Sequence, residues 1–334
     1  MKVVLVADIH FHNYKMFAKN NGQSVNSRLH EHIDAMDIVL KYCIEHNIDR
    51  LWILGDLFHA RDKIDVAVNN AVYRLFKKYK NKVNTTLLVG NHGLNFKGQE
   101  VSSLPLGEII EIKAEPEAEI IDGVWVFWLP AGYGLDSLDK IMGMVDGRGG
   151  MKKILLGHFG VNGAIVQKGY RPRSEIEVSD IERYGFDMVF LGDYHKRQFV
   201  KDNILYVGSL CHHDFREVGY EDGFIVLELD DLFYESYGID APKFIEVDMI
   251  EDVPKGGEYY VKLRSRLKGK IPSNVKGIKE DIISVVKDKE NKVRFKQGMS
   301  VEEMIGKYVD SQDIGELDRD KLIKIGIDIT KGGK

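Results

Sequence analysis

Five short apolar runs in this chain each stop at a polar residue able to donate to a metal. Val3–Ala7 ends at Asp8-Ile9-His10, and Leu51–Leu54 at Gly55-Asp56. Leu87–Val89 ends at Gly90-Asn91-His92, Ile154–Leu156 at Gly157-His158, and Met188–Leu191 at Gly192-Asp193-Tyr194-His195. Apolar runs of this length bounded by glycine read as buried strands. Alternate residues of an extended chain point the same way, so Asp8 and His10 project together. Helical spacing intervenes: Ile33, Met36, Val39, Leu40, Cys43 and Ile44 share one face, as do Val68, Val72, Leu75 and Phe76 within Asp65–Tyr79. Strands return at Arg50–Leu54 and Thr85–Val89, a strand–helix rhythm that argues for a sheet covered by helices.

The pattern changes in the second half. Val124–Leu129, Ile154–Leu156, Met188–Leu191, Ile204–Val207 and Phe224–Leu229 read as strands joined mostly by loops, with a helix starting near Val178–Glu182 and Ser179 as its cap. The expected fold is α/β, two packed mixed β-sheets flanked by helices, in a domain spanning residues 1–236. Pro242 and Gly256-Gly257 then flank a shift in composition. Tyr259–Leu263 reads as a strand, Ile278–Val286 as a helix or strand and Lys292–Phe295 as a strand. Residues 237–297 are therefore expected to form a small basic α/β unit. Residues 298–334 carry two amphipathic helices, one around Val301, Met304, Ile305 and Tyr308 and one over Leu317–Ile325. A helical pair this short must bury its apolar face against another surface.

Composition narrows the class. The chain has 334 residues, 44% hydrophobic and 30% charged, enough for a large core. No run approaches the roughly 18 apolar residues of a membrane span. Two cysteines without metal-type spacing, Cys43 and Cys211, suit a reduced, cytoplasmic setting. The net charge of −5 does not suggest a nucleic-acid binder, but its distribution is uneven. Residues 255–297 hold thirteen Lys/Arg and five Asp/Glu, a local +8 that leaves −13 elsewhere. That window fits either an anionic partner or a solvated lysine-rich surface.

The donors after the apolar runs are Asp8, His10, Asp56, Asn91, His158, Asp193 and His195. Oxygen and imidazole without thiolate suits hard divalent ions. A pair of ions about 3.5–4 Å apart, bridged by a carboxylate, orients a phosphate ester and stabilises both its attacking and leaving oxygens. Each motif alone is weak; five together, each behind an apolar run, are specific.

These residues resemble the calcineurin-like metallophosphoesterase superfamily, whose pattern runs Asp-X-His, Gly-Asp, Gly-Asn-His, Gly-His and Gly-His-X-His. Gly55-Asp56-Leu57-Phe58-His59 is similar to the SbcD branch, the nuclease subunit of the SbcCD and MRN double-strand-break repair complexes. So is Gly208-Ser209-Leu210, followed by Phe215, Glu217 and Gly223-Phe224. The short chain and helical tail resemble the bacteriophage recombination nucleases. The resemblance implies two Mn²⁺, with Mg²⁺ as a substitute: Asp8, His10, Asp56 and His195 would hold one, and Asp56 as bridge with Asn91, His158 and Asp193 the other. It implies that His92 protonates or stabilises the leaving 3′ oxygen and that His59 places the DNA strand. The implied reaction is phosphodiester hydrolysis, 3′ to 5′ on duplex ends and endonucleolytic on single strands. The implied partners are DNA, an SbcC-type ABC ATPase docking on residues 298–334, and a second copy through the helices near 28–46 and 65–79. Two positions depart from the pattern. Asp193 stands where the family has His, and Gly93 follows His92 where the family has Asp or Glu, which removes a partner for His92.

The remaining candidates carry competing readings. Lys262, Arg264, Arg266 and Lys268 are DNA-backbone contacts or solvated surface. His12 reads as a surface-loop residue; His30, His32 and His46 read as solvated. His212 and His213 either touch substrate or serve a plain loop. Lys168, Arg171 and Arg173 form a basic loop, with or without a phosphate contact. Against the nuclease stand a small-molecule or protein phosphatase on the same metals and a scaffold that has lost them.

Overall fold

The computed structural model describes residues 1–20, 25–61, 63–94, 101, 103–145, 150–166, 169–280, 300–311 and 318–330. The elements in its first half are β1 (Lys2–Val6), α1 (Ser27–Glu45), β2 (Arg50–Leu54), α2 (Val66–Tyr79), β3 (Asn84–Leu88), β4 (Glu111–Lys113), β5 (Glu117–Ile121), β6 (Val124–Leu129), α3 (Asp136–Val145) and β7 (Lys153–His158). There follow α4 (Val178–Glu182), β8 (Met188–Gly192), β9 (Gln198–Lys201), β10 (Ile204–Tyr206), β11 (Phe224–Glu228), β12 (Tyr234–Tyr237), β13 (Lys243–Val247), β14 (Tyr259–Leu263), β15 (Val275–Glu280), α5 (Val301–Ser311) and α6 (Arg319–Thr330).

Two six-stranded mixed sheets carry the core, in the orders β12-β11-β1-β2-β3-β4 and β5-β6-β7-β8-β10-β9. In the first, β1 to β4 run parallel and β11 pairs antiparallel to β1, with Val3 opposite Leu227. In the second, β6, β7, β8 and β10 are parallel and the two edge strands are antiparallel. Strands buried on both faces need no polar alternation, which explains their unbroken apolar runs. Alternate residues divide each strand between layers. Val3, Leu5, Trp52 and Leu54 meet Val126, Trp128, Leu156 and Phe190 between the sheets. Val4, Val6, Leu51 and Ile53 face α1 and α2, while Phe127, Leu129, Leu155 and Val189 pack with residues of α3 and α4 on the opposite face.

Local chemistry accounts for the helix ends. Asn26 caps α1 by accepting from the Leu29 N–H at 3.0 Å, and Asp65 caps α2 through the Ala67 N–H at 2.7 Å. The expected Ser179 cap is corrected: Ser179 lies inside α4, and the Glu177 N–H at its start donates to Asp180 Oδ2 at 2.9 Å. On α1 the stripe is set by Leu29, Met36, Val39, Leu40 and Cys43, whereas Ile44 is exposed.

By compactness the chain divides into residues 1–282 and 283–334. The segment from 237, expected as a small α/β unit, supplies a three-stranded parallel sheet, β13-β14-β15, within the first unit. It is held to α1 by Tyr260, whose hydroxyl donates to Glu31 at 2.7 Å and whose ring stacks on Phe17 at 5.1 Å. Of the predicted 278–286 element, the part beyond Glu280 lies outside the described residues, as does the strand expected at 292–295. In the second unit α5 opens on a capping box between Ser300 and Glu303. Arg319 of α6 binds Asp310 of α5 at 2.9 Å, and Val301, Tyr308 and Ile325 are exposed. Among the described residues no helix is long and apolar enough to cross a membrane.

Trp52 and Trp128 meet edge to face at 5.3 Å between the two large sheets, both fully buried. Trp128→Ala removes one side of that contact and is expected to cost about 3–5 kcal/mol, read as a lower urea midpoint. An unchanged midpoint would mean that the two sheets do not share this core.

Candidate metal centre

The carboxyl ends of β1, β2 and β3 in one sheet face those of β7 and β8 in the other. The chain leaves these strands through backbone that non-glycine residues seldom adopt: φ is +50° at Asp8, +50° at His10, +45° at Asp56 and +89° at Asp193. Left-handed conformations at such residues cost of order 1–3 kcal/mol each and gather where a site over-determines them. Here they turn carboxylate and imidazole donors inward. At two neighbouring positions a side chain has no room. A Cβ on Gly55 would lie 1.9 Å from His158 Nδ1, and one on Gly192 would lie 2.0 Å from the Leu54 carbonyl oxygen.

The structure brings all seven predicted donors to one place. Asp56 lies between two groups: its Oδ1 is 3.3 Å from His158 Nε2 and its Oδ2 is 3.4 Å from His10 Nε2. Asp8, His10 and His195 offer donor atoms within 4.8 Å of one another, and so do Asp8, Asp56 and His158. His10 Nε2 and His195 Nε2 approach to 3.1 Å. The Asn91 amide donates to Asp193 Oδ1 at 2.9 Å, and the Asp193 N–H donates to Asp8 Oδ1 at 3.2 Å. His158 Nδ1 lies 2.8 Å from the Leu54 carbonyl, so that nitrogen carries the proton and Nε2 faces the carboxylates.

Several buried donor atoms have no hydrogen-bond partner: Asp8 Oδ2, Asn91 Oδ1 and His158 Nε2. Orphaned polar atoms are rare in a protein interior, and their convergence here, with three carboxylates and no thiolate, fits hard divalent cations. The other acidic cluster, Glu111, Glu117 and Glu119, does not: the Lys113 ammonium sits within it, 2.7 Å from Glu111 and 3.0 Å from Glu119.

Electrostatics follow from this crowding. Burial pushes Asp8 up to about 6, against the pull of His158 and His195. Burial opposes charge on His158, yet Asp56, Asp8 and Asp193 outweigh it and raise the ring to about 10. At His195 burial is likewise outweighed, by Glu217, and the ring rises to about 9. His10 is driven well below its ordinary value by burial and by the neighbouring imidazoles. His59 falls to about 4 for the same reasons.

His92 and His59 stand at the rim. The His92 N–H donates to Asp56 Oδ1 at 2.9 Å, and its ring Nδ1 bonds to the main-chain oxygen of His59. The partner lost at Gly93 is therefore replaced by a backbone carbonyl. The two rings lie 5.4 Å apart, and His59 is 5.3 Å from His10. His12, read as a surface residue, is half-buried with its ring 5.1 Å from His59. A cleft of about 200 Å³ is lined by Val166, Asp193, Tyr194, His195, Lys196, Arg216, Glu217 and Tyr220.

The four predicted DNA contacts lie on or just after β14. Lys262 and Arg264 pair with Glu246 at 3.3 and 3.0 Å, while Arg266 and Lys268 are exposed. Arg171 and Arg173 are exposed, Arg171 donating to the Gly163 carbonyl; Lys168 lies outside the described residues. Of the histidines read as solvated, His30 and His46 are exposed, but His32 is buried, with Nδ1 3.1 Å from the Ile9 carbonyl. His32 falls on the Leu29–Met36–Cys43 stripe of α1, a signal present in the spacing. His212 is structural: its ring accepts from the Phe244 N–H at 3.2 Å and so ties β13 to the loop.

Residues 1–197 match the calcineurin-like phosphoesterase family. The chain belongs to that family. It is a metal-dependent hydrolase family built on a dinuclear centre, which agrees with the donor groups found here. Among solved structures the chain is similar to YfcE, a phosphoesterase from E. coli, with 15% identity over 72% of this chain and 100% of that one and a TM-score of 0.35. It is similar to the nuclease MPE of Pseudomonas putida, with 21% identity over 50% and 65% and a TM-score of 0.27. It is also similar to a dimetal phosphatase from Danio rerio, with 11% identity over 68% and 92% and a TM-score of 0.43.

Metal loading is expected to expel protons. With His158 raised to about 10 and His195 to about 9, both rings are charged near pH 7.5, and a cation at Nε2 must displace a proton from each. Affinity should rise with pH, about tenfold per unit for each proton released, and level off as those values are passed. Calorimetric Mn²⁺ titrations in two buffers of different ionisation enthalpy should count about two protons per ion pair. A count of zero would contradict the assigned donors.

Proposed function

We propose that this hydrolase is a DNA nuclease of the SbcD type. It would use Mn²⁺, or Mg²⁺ in its place, and work with an SbcC-type ABC ATPase engaged by residues 298–334. The observation that carries the reading is the row of imidazoles beyond the metal donors, with His59 5.1 Å from His12 and 5.4 Å from His92. A nucleic-acid strand continues on both sides of the scissile phosphate and needs surface beyond the ions; a small phosphomonoester does not. The cleft that Asp193 and His195 line supplies Lys196, Arg216, Tyr194 and Tyr220, groups suited to phosphate and to base or sugar faces.

Bound ions would supply Lewis acidity and a water of lowered pKa. Asp8, His10, Asp56 and His195 would hold one, and Asp56, Asn91, His158 and Asp193 the other. The chain's own chemistry centres on His92. Its Nδ1 proton is committed to the His59 carbonyl, so Nε2 is the nitrogen left for the leaving 3′ oxygen. Its backbone N–H on Asp56 Oδ1 fixes the ring relative to the bridging carboxylate. Asp193, with a negative charge where the family pattern has imidazole, shifts its site toward harder ions.

One observation favours a second reading, a phosphatase or phosphodiesterase for small molecules or phosphoproteins. Glu246 pairs with both Lys262 and Arg264, and Asp248 lies 3.8 Å from Arg264, so the basic window offers a polyanion less free charge than its sequence suggests.

With Mn²⁺, end-labelled duplex DNA and bis(p-nitrophenyl) phosphate should be cleaved faster than p-nitrophenyl phosphate. His92→Ala should lower kcat about 100- to 10,000-fold with metal content unchanged. Preference for the monoester, or wild-type rates in the variant, would contradict the nuclease.

A further inference from the structure

Glu217 is buried, and its carboxylate lies between two histidine rings. Oε1 accepts from His195 Nδ1 and is 3.0 Å from His213 Nδ1. Oε2 is 3.2 Å from that same His213 nitrogen and accepts the His213 N–H at 2.5 Å. His213 Nε2 lies 3.1 Å from the carbonyl of Ile9, the residue between Asp8 and His10. Each ring nitrogen of His213 thus lies against an oxygen, and the ring ties Glu217 to the Asp8–His10 turn. His195 is different: it meets Glu217 through Nδ1 alone, and its Nε2 turns toward His10 and Asp8. Nothing in the hydrolase chemistry described above uses either Glu217 or His213.

We propose that Glu217, braced by His213, is a positioning residue that holds His195 in one orientation with the proton on Nδ1, so that the Nε2 lone pair is kept for the ion shared with Asp8 and His10. A carboxylate on the outer nitrogen of a ligating histidine sets both tautomer and ring angle, and its loss typically weakens metal binding 10- to 100-fold. The buried Arg28 of α1 extends the arrangement outward. Its Nη2 donates to the His213 carbonyl at 3.2 Å, and its guanidinium lies over Phe244 at 4.8 Å and Tyr260 at 4.5 Å, in β13 and β14. The loop carrying His213 and Glu217 is thereby seated against the third sheet. The proposal holds whichever phosphoester is cleaved, so failure of the nuclease reading leaves it standing.

Titration of the full metal-free chain with Mn²⁺, followed by calorimetry, tests it. In Glu217→Gln one of the two binding steps should weaken about 10- to 100-fold while the other keeps its wild-type affinity, and Glu217→Asp should recover part of the loss. Equal weakening of both steps, or of neither, overturns the proposal. A second measurement needs no variant. In long-range ¹H–¹⁵N spectra of the Mg²⁺-loaded protein, His195 should carry its proton on Nδ1; a proton on Nε2 overturns the proposal even if the variants do not fold.

Discussion

Two sheets approach so closely at their carboxyl ends that a histidine of one bonds to the backbone of the other. His158, at the end of β7, reaches the Leu54 carbonyl of β2 at 2.8 Å. That contact fits only because Gly55 and Gly192 put no side chain in the gap. Everything at the site depends on this approach. It sets His158 beside Asp56, and it lets donors from β1, β2 and β3 meet donors from β7 and β8. The paired tryptophans deeper in the sandwich maintain the same spacing. The polar site is therefore a consequence of apolar packing, and the left-handed residues at its edge are held by that packing against their own preference.

Much of this could be read along the chain because the signal is local. An apolar run, a glycine and a donor are contiguous in sequence, and the strand carries the donor with it. Five such runs mark the central strands β1, β2, β3, β7 and β8, and with them seven side chains that the fold brings together, without any knowledge of which strands are neighbours. Helix α1 was legible from its stripe, and the same stripe held the buried His32, which was mistaken for a solvated residue because imidazole is usually weighed as polar before its position is considered. The carboxylate and imidazole that brace His195 are not legible in this way. Glu217 and His213 follow the last donor by about twenty residues, with β9 and β10 between, and their partners His195 and Ile9 are far apart in the chain. No periodicity encodes a contact between residues 9 and 213.

Charge was the least faithful guide. The window from 255 to 297 is strongly basic by composition, yet Glu246 pairs with both Lys262 and Arg264, and Asp248 lies 3.8 Å from Arg264. Counting residues cannot see such pairs, since the acids sit on neighbouring strands rather than nearby in sequence. Gly93 misled for a related reason. Loss of an acidic neighbour after His92 suggested an unsupported imidazole, whereas the His59 backbone carbonyl takes the same position. Support for the His92 ring comes from main-chain geometry, which the identity of the adjacent residue does not reveal.

Asp56, with one oxygen toward His158 and the other toward His10, would be the carboxylate shared by two ions. Anomalous diffraction from crystals soaked in Mn²⁺ tests this most directly. It should give two peaks about 3.5–4 Å apart, one against each oxygen of Asp56. A single peak, or two peaks away from Asp56, would contradict it.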